Sequence, residues 1–363
     1  MNRYQSPYGV YPQQPYVNVQ PPQWADPMKL EQKELRRAAS RLSFAALAGL
    51  PLQYIFINVA AIILMLCGVN LLAPTGNTVG GLPATAYYLV ASMMSYFSIV
   101  LPYALFLAVG RRRLRDTVLV EKTGALNGIL LVLAGVFVCM VMNIPANLIS
   151  VLLESLGLNG AANTESFTVT TLPELLTMLL SVVLIAPVTE EFAYRGVATA
   201  VMRRWGDWTA ILFSGLLFGM AHYSFQGLPV VLVGGFVMAF LYVRTRNIWI
   251  SIAVHFMNNL IAVLPIAVNY LFGAEASTAV NVVSFYAVIL VGIAALAILC
   301  VLHASGRPVF RTPMQRGLPV RNKALQLVGN PGFIVYFIVF IAMSVVSLYA
   351  ASVSYTHLTL PTN

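Results

Sequence analysis

Nine stretches of almost unbroken apolar residues run along the 363-residue chain, at 44–72, 84–109, 126–153, 173–201, 208–224, 228–243, 248–272, 279–303 and 332–352. A membrane-spanning helix needs about 20 such residues. The pattern predicts an all-α protein, a polytopic transmembrane helical bundle of about eight to nine spans. A membrane barrel would instead show short segments of alternating polarity. No internal repeat is visible, which disfavours an inverted-repeat transporter.

The polar segments between these runs are of two kinds, and they alternate. Arg111, Arg112, Arg113, Arg115 and Lys122 follow the second run, Arg203 and Arg204 the fourth, and Arg244 and Arg246 the sixth. Arg307, Arg311, Arg316, Arg321 and Lys323 follow the eighth. The intervening loops hold Glu154, Glu165 and Glu275 and no Lys or Arg. Basic loops stay on the cytoplasmic side, so a multi-pass protein of the cell (inner) membrane with a cytoplasmic N terminus is expected. The overall composition agrees: 59% of residues are hydrophobic and 9% charged, against about 25% charged in soluble domains. The net charge of +9 sits in the loops and tail, so it is a topology signal. The bilayer is a partner and nucleic acid is not.

Five domains are expected. Residues 1–43 are a disordered Pro-, Gln- and Tyr-rich tail followed by a basic surface helix. That helix carries Lys29, Lys33, Arg36, Arg37 and Arg41 and should lie at the membrane surface. Residues 44–153 are N-terminal transmembrane helices, 154–275 a central transmembrane core, and 276–352 C-terminal transmembrane helices. Residues 353–363 read as a translated sequencing-library adapter, so the natural chain is expected to differ after about Ser352. Cys67, Cys139 and Cys300 lie in apolar runs and read as packing residues.

The fourth run contains two adjacent carboxylates, Glu190 and Glu191. Each costs roughly 2.5–3.5 kcal/mol to place at the centre of a membrane helix. Glu191 and Arg195 are four residues apart, share a helix face and can pair. Glu190 is rotated by about 100° and remains free for chemistry. The fifth run ends with Phe218 and His222. The seventh carries His255 and Asn259, again four apart on one face. These two can bind a metal, hydrogen-bond a carbonyl, or bridge helices.

The ordered set Glu190-Glu191-x-x-x-Arg195, Phe218-x-x-x-His222 and His255-x-x-x-Asn259 resembles the CPBP family. Its members are the type II CAAX prenyl endopeptidases and their bacterial relatives, also called Abi-type intramembrane proteases. The resemblance covers about residues 173–270 and points to a bacterial-type member. It implies an intramembrane endopeptidase acting on a membrane-associated peptide or protein. Glu190 and His222 would activate a water, and His255 and Asn259 would stabilise the oxyanion. Glu191, Arg195 and Phe218 would support them. Cofactors are none or a divalent metal such as zinc, held if present by Glu190, His222 and His255. No His-Glu-x-x-His run is present, so metal-independent chemistry is favoured. An inward-open cavity lined by Glu190, His222, His255 and Asn259 is expected. Two other readings stand beside the enzyme. One is a transporter or a proton- or cation-coupled channel that uses the buried Glu and His groups. The other is a non-catalytic membrane protein of the bacteriocin-immunity type.

Overall fold

The structure is a computed structural model that describes residues 26–69, 78–79, 82–158, 169–307, 309–314 and 320–359. The expected disordered tail at 1–25 and the last four residues of the adapter-like stretch lie outside the described residues. Among those described, helix dominates. The exceptions are a two-residue antiparallel pair, β1 (Thr78–Val79) with β2 (Leu82–Pro83), and an isolated bridge between Val120 and Asn247. Eight helical segments are long and apolar enough to cross a membrane. The protein is therefore an all-α polytopic bundle.

In chain order the principal helices are α1 (Pro27–Leu66), α2 (Ala84–Val109), a short α3 (Leu114–Thr117), α4 (Ala125–Val141) and α5 (Asn143–Ser155). The fourth span follows, at Leu172–Trp205. It contains α6 (Leu172–Met178), α7 (Ala186–Glu191) and a short α8 (Ala200–Met202). Then come α9 (Asp207–Met220), α10 (Leu228–Thr245), α11 (Ile248–Phe272), α12 (Ala274–Ala304), α13 (Val320–Val328) and α14 (Pro331–Thr359). α14 runs past Val353, where the adapter-like sequence begins.

Two sequence expectations are corrected. The fifth apolar run, 208–224, forms only the 14-residue α9, which at the helical rise is ~21 Å long. That is short of the ~30 Å hydrocarbon core. α9 survives because the protein, not lipid, covers most of it, with Phe213 and Leu217 fully buried. Its end leads straight into a turn that returns as α10. The second correction concerns the basic segment at 28–43, which is not a separate surface helix. It is the first part of α1, capped by Asp26, whose side chain accepts from the Met28 N–H at 2.9 Å. Leu35, Ala39 and Leu42, spaced by four and three residues, are all fully buried. This stripe packs on α13 and α14. Arg36 donates to the Gly329 carbonyl at 3.4 Å, and Glu34 pairs with Arg204. The expected packing role of the cysteines holds for Cys139, which is buried, while Cys67 and Cys300 are exposed.

The basic loops do come together at one end of the bundle. Glu121 pairs with Arg246 at 3.4 Å and with Arg311. Its N–H donates to the Arg246 carbonyl at 2.8 Å. Asp207 pairs with Arg203 at 3.1 Å and accepts from the Met314 N–H at 2.9 Å. The Tyr242 hydroxyl, on α10, donates to the Thr117 carbonyl. The chain between α10 and α11 turns through Arg246 in the left-handed region, and Asn247 caps α11 by accepting from the Trp249 N–H at 3.0 Å.

α9 and α10 meet closely, because glycines face each other. A Cβ on Gly235 would sit 3.0 Å from the Gly215 carbonyl oxygen. One on Gly215 would lie 2.1 Å from the Phe236 ring. This contact holds the helix that leads to His222 against α10. Gly215→Val should lower stability by about 1–3 kcal/mol through overpacking. The check is thermal melting in detergent, against the exposed control Leu212→Val.

Candidate functional site

The fourth span is not a uniform α-helix. It begins at a capping box in which Thr171 accepts from the Glu174 N–H at 3.4 Å and Glu174 accepts from the Thr171 N–H at 3.1 Å. It then widens into π-helix over Leu179–Ile185, returns to α over Ala186–Glu191, and widens again over Phe192–Thr199. In the first wide turn the Ala186 N–H bonds the Ser181 carbonyl, five residues back. π-Helical turns often mark functional sites, and here they bracket the two glutamates.

Glu191 and Arg195 pair as their spacing requires. Arg195 Nη1 donates to Glu191 Oε1 at 2.6 Å, with both side chains fully buried. Arg195 Nη2 donates to the Gly235 carbonyl on α10 at 3.1 Å. The guanidinium also lies 4.4 Å from the Phe218 ring centroid, a cation–π contact. Phe218 thus has a definite supporting place. Its ring touches Arg195, packs edge-on to His222 at 4.9 Å and to His255 at 5.6 Å, and closes the group from the α9 side.

His255 joins both glutamates. Its Nδ1 is 3.0 Å from Glu191 Oε1, and its Nε2 is 3.9 Å from Glu190 Oε2. Glu191 is ion-paired, so its carboxylate accepts and His255 Nδ1 carries the proton. Nε2 then faces Glu190. His222 is fixed the same way, since its Nδ1 lies 2.9 Å from the Phe218 carbonyl, which can only accept. Glu190 Oε2 is buried with no hydrogen-bond partner among the described residues.

A cavity of about 50 Å³ adjoins the group. His222, His255, Asn258 and Asn259 line it, with Phe218 and apolar residues of α10. Glu190 does not line it and meets the group through His255. Asn259 is partly committed elsewhere, since its Nδ2 donates to the Val182 carbonyl at 2.9 Å. Glu190, His222 and His255 do not form a ligand cage. Among the described residues, no three His, Cys, Asp or Glu side chains gather closely enough to hold a metal ion.

Residues 172–261 match the family model described as type II CAAX prenyl endopeptidase Rce1-like. Over those residues the chain is similar to the CPBP family. A stretch of 88 residues is 32% identical to "Putative membrane peptidase YdiL" of Bacillus subtilis (strain 168). It covers 24% of this chain and 36% of that relative, so the chain spans about a third of the relative's length. No solved structure matches. The CPBP match falls on the fourth span through the middle of α11, the segment that supplies every residue of the constellation.

Sequence reasoning named Glu190, Glu191, Arg195, Phe218, His222, His255 and Asn259, which lie near one another in the structure. It missed the Gly235 carbonyl, Asn258 and the π-helical turns. Pro187 was the available signal for the last of these, because a proline inside a helical run leaves a carbonyl without its donor.

The buried ion pair generates a test. Arg195→Ala should strand Glu191 as an unpaired buried charge, at a cost of roughly 3–5 kcal/mol. Folded yield should fall sharply. Adding Glu191→Gln should restore part of it, measured by size-exclusion chromatography and melting temperature in detergent.

Proposed function

We propose that this protein is an intramembrane endopeptidase that hydrolyses a peptide bond of a membrane-associated peptide or protein. The carrying observation is Glu190, a half-buried carboxylate whose enclosed Oε2 has no hydrogen-bond partner among the described residues and lies 3.9 Å from His255 Nε2. The match of residues 172–261 to a peptidase family model and the similarity to "Putative membrane peptidase YdiL" of Bacillus subtilis support the reading.

Glu190 accepts a proton from the attacking water as general base and later returns it to the leaving amine. His222, with Nδ1 bound to the Phe218 carbonyl, offers Nε2 as an acceptor to hold that water. His255 takes a second proton from solvent before the water is activated and keeps it throughout, with Glu191 as its counter-charge, so that Nε2 donates to the oxyanion. The carboxamides of α11 that line the cavity supply a further donor. Glu191 and Arg195 orient His255 and do not touch substrate. The donor set does not form a metal cage, so no step is routed through a metal. Activity should persist after dialysis against EDTA and 1,10-phenanthroline, measured as cleavage of a fluorogenic membrane peptide. Loss restored by zinc would contradict this.

The basic end of the bundle faces the cytoplasm in this reading, with the N terminus on that side. A cysteine introduced at Arg113 should react with an impermeant maleimide only after cells are permeabilised.

Glu190→Gln tests the chemistry. It should cut turnover by more than about a hundredfold, within the range for removing a general base, and leave the melting temperature within a few degrees of wild type. Peptide cleavage by the purified full chain in detergent or liposomes is the measurement. A variant that cleaves within tenfold of wild type would rule out the base role.

A further inference from the structure

The 14-residue α9 does not reach across the hydrocarbon core, and beside it the bundle leaves a groove. The groove lies between α4, α9, α10 and α12, has a volume of about 700 Å³, and is lined almost wholly by apolar side chains. Trp208, Leu212, Cys300 and His303 line it and are exposed. It therefore opens on the outer face of the bundle, where the surroundings are lipid. Along α12 it runs from His303 back to Leu296, which is ~10 Å at the helical rise. Water gains nothing from such walls, and a hydrocarbon chain matches them.

The end of the groove on the basic side of the bundle carries charge. Trp208, Phe240 and Phe310 form a row of rings there, with successive centroids 6.0 and 5.2 Å apart. Aromatic rings gather where hydrocarbon meets headgroups. The Arg244 guanidinium sits over two of them, its Cζ 5.8 Å from the Phe240 centroid and 5.9 Å from that of Phe310. The Arg244 carbonyl accepts from the Arg311 N–H at 3.2 Å, which holds Phe310 in the row. Arg203, Arg204, Arg246 and Arg311 each pair with a carboxylate at this end. Arg244 forms no ion pair among the described residues, and its Nε is buried without a hydrogen-bond partner there. Glu121 is taken by Arg246 and Arg311, and Asp207 by Arg203. Among the described residues no Asp or Glu lines the groove.

We propose that this groove binds one anionic phospholipid from the leaflet on the basic side of the protein. An acyl chain lies against α4, α9, α10 and α12, and the phosphate meets Arg244, with His303 of the same groove as a second donor. A guanidinium holds phosphate oxygens through paired N–H groups, and basic pockets between membrane helices favour anionic headgroups. A zwitterionic lipid brings the same phosphate with an ammonium that no carboxylate of the groove receives. Free phosphate leaves the apolar walls empty. The groove shares no lining residue with the cavity at His222 and His255, so the proposal does not rest on the peptidase reading.

The test is native mass spectrometry of the full-length chain in detergent, with equal amounts of dioleoylphosphatidylglycerol and dioleoylphosphatidylcholine. Wild type should retain one phosphatidylglycerol in preference to phosphatidylcholine by about fivefold, the scale of one basic residue beside anionic lipid. Arg244→Gln should remove the preference and Arg244→Lys should keep it. Cys300→Phe, which fills the groove, should lower retention of both lipids. Arg111→Gln, a change at the same basic end but outside the groove, should bind as wild type does. Excess inorganic phosphate should not displace the lipid. Equal retention of the two lipids by wild type would overturn the proposal, as would an undiminished preference in Arg244→Gln or undiminished retention in Cys300→Phe. Displacement by inorganic phosphate would overturn it in favour of a free anion. Melting temperature is read for every variant. If Arg244→Gln does not fold, the wild-type preference and the Cys300→Phe result still decide the site.

Discussion

The buried ion pair between Arg195 and Glu191 is the contact on which the rest of the site depends. Two charges removed from water in a membrane interior are costly, and their attraction offsets that cost only when the remaining hydrogen-bonding capacity is used. Here the guanidinium donates to the Glu191 carboxylate and the Gly235 carbonyl, and the Phe218 ring faces its carbon, while Arg195 Nε and Glu191 Oε2 have no hydrogen-bond partner among the described residues. Those partners sit on three different helical segments. The pair therefore draws the fourth span, α9 and α10 together, and the tight glycine contact between Gly215 and Gly235 lets α10 approach. Once Glu191 is fixed, its shared oxygen fixes His255.

That chain of contacts sorts two adjacent glutamates into different roles. Glu191 is neutralised by a cation one turn away and acts through His255. Glu190, on another face of the same segment, forms no ion pair with Lys or Arg among the described residues, while its Oε2 and Glu191 Oε2 are both buried without a hydrogen-bond partner there. Two neighbouring carboxylates of one chemical type thus stand in separate surroundings from position alone. The π-helical turns on either side add to this separation, since they change the residue spacing that a uniform α-helix would impose.

Much of this was legible in the sequence. Apolar run length indicated the class of fold and eight of the spans, and alternating basic loops anticipated the shared end where Arg246 and Arg311 meet Glu121. The four-residue spacing anticipated the Glu191–Arg195 pair. The errors have physical causes. Apolar composition does not distinguish a helix that spans lipid from one that protein covers, so α9 read as a full span. Basic residues at the start of α1 read as a surface helix because the buried stripe of Leu35, Ala39 and Leu42 needs α13 and α14 to explain it. A helical wheel assumes a constant 3.6-residue period, so it cannot show that Asn259 reaches the Val182 carbonyl.

The central claim is that Glu191 serves the reaction by holding His255. A double-mutant cycle on turnover tests it directly, using Glu191→Gln, His255→Ala and the double variant, each checked for folding. If Glu191 acts through His255, the double variant should be no slower than His255→Ala alone, with a coupling well above about 1 kcal/mol, as expected for residues in one network. Losses that add to within about 0.5 kcal/mol would mean that the two residues act independently, and Glu191 would then have no part in the reaction through His255.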